Sequence, residues 1–351
     1  MDNSPEPASK DGASWEKDSR REDETNDKEA APAPPTRLVF DDSEEILGTF
    51  NKLKISGVVA LREKERERKN REREEEKRRA EEDLRRQAEE QRLREEAKKR
   101  GGLRQPHKDL FPALTADWTA QVQSSLRPSD KVLAETLEAK LKSHDFQRLV
   151  PATVWLNDNI VNGTLLWLDR FINQAAGITD VKTQTRKCLM PGSFFFTRLL
   201  DNGVKNTERS LRRLGVNKGN ILDIETILMP ICQGSHWTLV VVEPRKRRIS
   251  HFDSLNPAGS EAKRTVARDW MRSILGDAFV EEEWRVVKYR APQQFNSFDC
   301  GVHTVLNGMC LGLGIEPSAA YSSDQLPELR IRIAAMLLNG GFKEEFSLEG
   351  C

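Results

Sequence analysis

The chain has 351 residues, of which 37% are hydrophobic and 32% charged, too polar a balance for an all-globular protein. Its 56 basic and 56 acidic side chains cancel, and the part after position 100 carries 31 of one and 28 of the other, so no large positive field argues for nucleic acid. No run of about 18 apolar residues occurs and the first 30 positions lack the apolar stretch of a signal peptide, so a soluble intracellular protein with no membrane contact is expected.

Residues 1–36 are rich in Ser, Pro, Asp and Glu and offer little to bury beyond Trp15, which predicts disorder. A short apolar patch follows (Leu38, Val39, Phe40, Ile46, Leu47, Phe50, Leu53, Ile55), too small to fold alone and suited to docking on an unidentified protein partner or on the domain downstream. Residues 1–60 are thus an acidic, disordered N-terminal region.

Residues 61–102 form the next segment, with 31 of the 40 positions from 61 to 100 charged and Glu mixed with Arg/Lys at i,i+3 and i,i+4 spacings. Leu61, Ala80, Leu84, Ala88, Leu93 and Ala97 make a thin stripe without sustained heptads, so a lone charged helix or weak coiled coil is expected, with a nucleic-acid arm as the competing reading. Gly101 and Gly102 end it.

From Leu103 to Cys351 the composition turns globular, with six of the seven tryptophans and enough chain for one sizeable core. Trp118, Val122 and Leu126 lie on one helix face, and Asn157 is placed to cap a helix whose buried stripe is Ile160, Leu165, Leu168 and Ile172. Ile224–Pro230 and the β-branched run Trp237–Val242 read as strands buried on both faces, followed by a turn at Pro244–Arg247 and strands at Arg248–Phe252 and Trp284–Tyr289. Helices are expected over Cys300–Leu311 and about Leu326–Leu338. Helices and strands interleave, so the class is α+β around a small sheet.

Five cysteines (Cys188, Cys232, Cys300, Cys310, Cys351) are odd in number and scattered, which fits a reducing compartment and leaves at least one free for chemistry. A hairpin turn centred between Pro244 and Arg245 sets His236 directly opposite Asp253, where a carboxylate orients an imidazole and favours its cation. Cys300 opens a helix, where unpaired N–H groups and the helix dipole favour thiolate. Its backbone N–H and the amide of Gln294 supply donors for an oxyanion. Each residue alone is commonly a packed core residue; the order His, Asp, Gln, Cys points to nucleophilic catalysis. Cys232-x3-His236 and Cys300-x2-His303 supply four soft ligands of the kind tetrahedral zinc accepts, but Gly234 and Trp237 crowd the first pair and no metal is expected.

Trp155-Leu156-Asn157-Asp158-Asn159-Ile160, His236-Trp237, Phe252-Asp253-Ser254-Leu255, and Pro292-Gln293-Gln294 with Asp299-Cys300-Gly301 together resemble the ubiquitin-like-protein-specific protease family, the SUMO or sentrin proteases, over roughly residues 115–345. The resemblance implies a papain-like α+β cysteine protease, with a small mixed sheet flanked by helices, that needs no cofactor. It implies cleavage after the Gly-Gly terminus of SUMO, maturing precursors and releasing SUMO from lysines, with SUMO and SUMO-conjugated proteins as partners. Cys300 is then the nucleophile, His236 the base and later the acid, Asp253 the orienting group and Gln294 the oxyanion donor. Trp155 and Trp237 wall a channel too tight for side chains, and Asp158 contacts the body of the modifier. Residence in the nucleus, at its envelope or in the cytoplasm follows from the family alone. A protease for another modifier such as NEDD8 and a catalytically silent SUMO-binding module are the alternatives. Two positions depart from the family: Ser297 stands where a glycine is common, which predicts strain if the turn needs positive φ, and His303 replaces an apolar residue close enough to perturb the thiolate.

Overall fold

The computed structural model describes residues 43–99, 102–204 and 207–351. The disorder expected over residues 1–36 and the first part of the apolar patch, Leu38 to Phe40, lie outside the described residues. Two units divide at Arg79 and Ala80. Helix α1 spans Ser43–Lys99, so it starts well before Leu61, where the charge pattern alone placed it. Once a helix is nucleated, each added residue gains a hydrogen bond at little cost. Side chains from Val58 to Arg92 are exposed, and the expected spacing is visible in pairs such as Lys69–Glu65 at 3.1 Å and Arg86–Asp83 at 3.0 Å.

The globular fold carries α2 (Ala116–Ser125), the small hairpin β1 (Ala134–Glu135) and β2 (Lys140–Leu141), α3 (Ser143–Phe146), α4 (Asp158–Ala175), β3 (Cys188–Leu189), α5 (Phe194–Asn202) and α6 (Glu208–Arg213). It continues through β4 (Thr226–Gln233), β5 (His236–Glu243), β6 (Arg248–Phe252), α7 (Glu261–Leu275), β7 (Arg285–Val286), α8 (Cys300–Gly312), α9 (Pro317–Ala320) and α10 (Leu326–Leu338). The main sheet runs β3-β4-β5-β6-β7; the inner pairs are antiparallel and both outer pairs parallel. This is the mixed α+β architecture expected.

Strand alternation explains why both faces are covered. Leu239 and Val241 of β5 face one apolar core with α4, α8 and α10, while Val240 and Val242 face a second core with α5 and α7. Pro230 is tolerated inside β4 because β3 pairs only with Thr226 and Ile227, leaving β4 an open edge beyond them. Asn157 caps α4, accepting from the Ile160 N–H at 3.1 Å.

The strand expected over Trp284–Tyr289 shrinks to the two residues of β7. The chain leaves the sheet there because Tyr289 stacks on Phe252, with centroids 6.2 Å apart, and its hydroxyl donates to Glu243.

Candidate active site

β5 begins at His236, and Asp253 follows directly on β6. The hairpin between them is not in the expected register: Leu239 pairs with Phe252 and Glu243 with Arg248, two residues away from the pairing that would set His236 opposite Asp253. The turn takes all four residues Pro244–Arg247, with Arg247 in the left-handed region at φ 51°, which moves its centre one residue on. A slip of two keeps every side chain on its face, so the pair survives as a diagonal contact, with His236 Nε2 2.8 Å from Asp253 Oδ1.

That contact fixes the proton. A carboxylate oxygen accepts, so Nε2 carries the hydrogen and Nδ1 is left as the basic nitrogen. Burial pushes the Asp253 carboxyl up, but hydrogen bonds from His236 and the Leu255 N–H outweigh it and hold it below the usual carboxylate range.

Cys300 is the first residue of α8 and is 2% exposed. Asp299 precedes it but does not cap the helix: its carboxylate accepts from Asn296 Nδ2 at 2.7 Å and from Arg330 Nη2 at 2.6 Å. The N–H groups of Cys300 and Gly301 therefore stay available to the sulfur, joined by the Trp237 N–H from β5. The helix-start N–H groups do favour thiolate, as expected, but burial acts against them. Burial pushes the Cys300 thiol up, and the three N–H donors only partly offset it. The cause is close packing over the helix start: a Cβ on Gly301 would lie 2.9 Å from Leu156 Cβ and 3.2 Å from Trp237 Cδ1.

Gln294 is clamped. Its N–H donates to the Ser254 carbonyl at 2.8 Å, its Oε1 accepts from Ser254 Oγ at 2.8 Å, and Nε2 donates to the Asn296 carbonyl at 2.5 Å. One amide hydrogen remains with only a 3.4 Å contact to Asn296 Oδ1. Trp237 is buried and donates Nε1 to the Leu156 carbonyl at 3.1 Å, whereas Trp155 is 47% exposed and donates Nε1 to the Ser297 carbonyl at 2.7 Å. Asp158 lies exposed in the first turn of α4.

Neither departure from the family pattern has the consequence expected of it, although His303 Nε2 is buried without a partner. Ser297 is absent from the three non-glycine residues at positive φ among the described residues (Ser235, Arg247, Glu344), so the expected strain does not arise. His303 is buried, with its pKa pushed down to about 4 by burial, so it carries no charge near neutrality to disturb the sulfur. Its Nδ1 lies 3.0 Å from the Tyr321 hydroxyl. Among the described residues no three His, Cys, Asp or Glu side chains gather as a metal centre.

Sequence reasoning missed three supporting residues. Asn296 braces both Gln294 and Asp299. Asp145, fully buried, accepts from the side chains of Asn157 at 2.8 Å and Asn159 at 3.0 Å and so holds the start of α4 behind Trp155. Arg330, also fully buried, bonds Asp299 and the carbonyls of Leu149, Val154 and Phe298. An arginine within the apolar run Leu326–Leu338 was the available signal for the last.

A model of the Ulp1 protease family, C-terminal catalytic domain, matches residues 155–340, more than half of the chain. This chain belongs to the Ulp1 protease family. The matched span takes in Trp155, Asp158, His236, Trp237, Asp253, Gln294 and Cys300 and leaves α1 outside. The chain is 44% identical to the catalytic domain of a Ulp1-like SUMO protease from Chaetomium thermophilum, with a TM-score of 0.68, covering 71% of this chain and 99% of that one. It is 25% identical over 202 residues to ubiquitin-like-specific protease 1 of Saccharomyces cerevisiae, covering 56% of this chain and 30% of the relative. It is 26% identical over 219 residues to human sentrin-specific protease 2, covering 60% of this chain and 35% of the relative. Matches to these two curated relatives thus span about a third of their length. Among the described residues no helix is long and apolar enough to cross a membrane.

Proposed function

We propose that this Ulp1-family chain is a cysteine protease that cleaves after the C-terminal Gly-Gly of SUMO, maturing precursors and releasing SUMO from lysine side chains. The 2.8 Å contact between His236 and Asp253 carries this reading, because it leaves Nδ1 basic on the residue next to Trp237, whose N–H reaches the Cys300 sulfur.

The chemistry follows from these groups. His236 Nδ1 takes the Cys300 proton as the sulfur attacks the terminal glycine carbonyl, and Asp253 stabilises the imidazolium that forms. The Gln294 amide hydrogen held only by the long contact to Asn296 Oδ1, with the backbone N–H of Cys300, turns to the oxyanion, where losing one donor typically costs about 100- to 1,000-fold in rate. His236 then returns the proton to the leaving amine, and water activated by the same nitrogen resolves the thioester. Trp155 and Trp237 wall the channel and exclude side chains, Asp158 meets the modifier's body, and no metal or cofactor takes part. A nuclear or cytoplasmic site of action belongs to this proposal, as does a protein partner for the N-terminal region.

The test is incubation with a SUMO bearing a C-terminal electrophile. A covalent adduct that forms with the wild type and not with Cys300→Ala supports the reading; no adduct with the wild type overturns it. A NEDD8 probe run in parallel reports the modifier, and preference for it would overturn the SUMO assignment.

A further inference from the structure

A cavity of about 570 Å³ lies against the loop that carries Gln294, with Gln293, Phe295 and Asn296 in its wall. Neither Cys300, His236, Asp253 nor Gln294 borders it. Another part of the wall is His303 on α8 and Tyr321 just after α9, both buried, and a chain of hydrogen bonds fixes their protons. Tyr321 gives its one hydroxyl hydrogen to Asn307 Oδ1 at 2.8 Å, so toward His303 Nδ1, 3.0 Å away, its oxygen accepts. The ring hydrogen therefore sits on Nδ1, and Nε2 holds a lone pair that is buried and has no partner. Burial pushes the His303 pKa down to about 4, so near neutrality this nitrogen is an acceptor and not a cation. A buried acceptor without a donor is rare and costly.

The charge on the wall has one sign. Asp324 is exposed, its carboxyl is held below the usual carboxylate range by hydrogen bonds from Ser322 and from its own N–H, and it pairs with no cation among the described residues. No Lys or Arg borders the cavity. Two other polar side chains of the wall are already spent: Ser323 Oγ donates to the Gln293 carbonyl at 2.6 Å, and Asn296 Nδ2 donates to Asp299 at 2.7 Å. Pro292, Leu326 and Phe295, the last 88% exposed, add apolar surface. What stays open is thus a lone pair and a carboxylate beside apolar walls, which suits a cation that carries N–H donors on an apolar stem.

We infer that this cavity binds an alkylammonium group, with its N–H donors directed to His303 Nε2 and Asp324 and its stem against Pro292, Phe295 and Leu326. A lysine side chain of a polypeptide and a free polyamine share this chemistry. The inference stands apart from the protease reading, because none of the four groups used in that chemistry borders the cavity.

The test titrates the full chain, labelled with ¹⁵N at histidine, with N-acetyl-lysine methylamide, its neutral analogue N-acetyl-norleucine methylamide, and spermidine. A saturable shift of the His303 Nε2 resonance is expected with the cations, and the norleucine compound should bind roughly tenfold more weakly than the lysine compound. Asp324→Asn, which alters an exposed side chain, should weaken the cations by roughly threefold. Tighter binding of spermidine than of the lysine compound supports the site as one for a free polyamine, and the reverse order supports a polypeptide side chain. No saturable shift at His303 Nε2 with either cation, equal affinity for the norleucine compound, or unchanged affinity in Asp324→Asn overturns the inference.

Discussion

Arg330, fully buried on α10, holds Asp299 through Nη2 at 2.6 Å and Nε at 3.0 Å, and Asp299 is the residue immediately before Cys300. The same guanidinium donates to the carbonyls of Leu149 and Val154, both at 2.9 Å, in the segment that leads into Trp155. One cation therefore fixes both the start of α8, which Cys300 opens, and the stretch of chain that precedes the exposed tryptophan. Because it draws the Asp299 carboxylate away from the helix end, it also keeps the first-turn N–H groups free for the sulfur.

Replacing Arg330 by Met leaves the buried Asp299 carboxylate without its ion pair and with Asn296 still donating to it, and breaking a buried pair in this way typically costs about 3–5 kcal/mol. Denaturant unfolding should show a loss of that order. A change below about 1 kcal/mol would mean that water or a neighbour takes over the pairing.

Asp253→Asn keeps the size of the side chain but removes the negative charge that stabilises the imidazolium, and its amide can turn an N–H donor toward His236 Nε2 in place of an acceptor. We expect kcat/KM on a fluorogenic Gly-Gly tail substrate to fall by about 10²- to 10⁴-fold, with the circular dichroism spectrum and unfolding midpoint nearly unchanged. Activity within threefold of wild type would show that the diagonal contact has no role in proton transfer.

Gly301→Ala tests the packing over the sulfur. The added methyl would sit 2.9 Å from Leu156 Cβ and 3.2 Å from Trp237 Cδ1, so one of them must shift. Overpacking of this kind costs roughly 1–3 kcal/mol. Because Trp237 also supplies an N–H to Cys300, kcat should fall along with stability. Unchanged turnover in a folded variant would separate the packing from the chemistry.

His303 and His251 give the fold an acid-sensitive limb. Burial is the first cause of both depressed values, each pushed down to about 4 from an ordinary 6.5. Between those limits the unfolded chain binds more protons than the folded one, so stability is full above about pH 6.5 and falls as the pH drops toward 4. Thermal unfolding midpoints measured from pH 7 to pH 4 should decline, and His303→Phe should flatten part of that slope. Identical slopes for the variant and wild type would show that His303 is not among the groups responsible.

Much of the fold was legible because its signals are local. Asn157 announced the start of α4, and the unbroken apolar run of β5 told that both its faces are covered. His236, Asp253, Gln294 and Cys300 stood out as a set because an imidazole, a carboxylate, an amide and a thiol in that order are a rare combination, and the structure brings His236 and Asp253 into contact. Start of α1 was misplaced because charge spacing marks where a solvated helix is supported, not where the chain begins to wind.

What the amino-acid order determined by itself was which segments become helix or strand and which side chains are chemically able to react. Only the three-dimensional packing decided the two-residue slip between β5 and β6, the burial that pushes the Cys300 thiol up and the capture of Asp299 by Arg330. Periodicity and capping act between residues a few positions apart, so they can be read along the chain. Register, desolvation and buried ion pairs join residues as distant as Leu149 and Arg330, and their energies exist only once the intervening chain has closed around them.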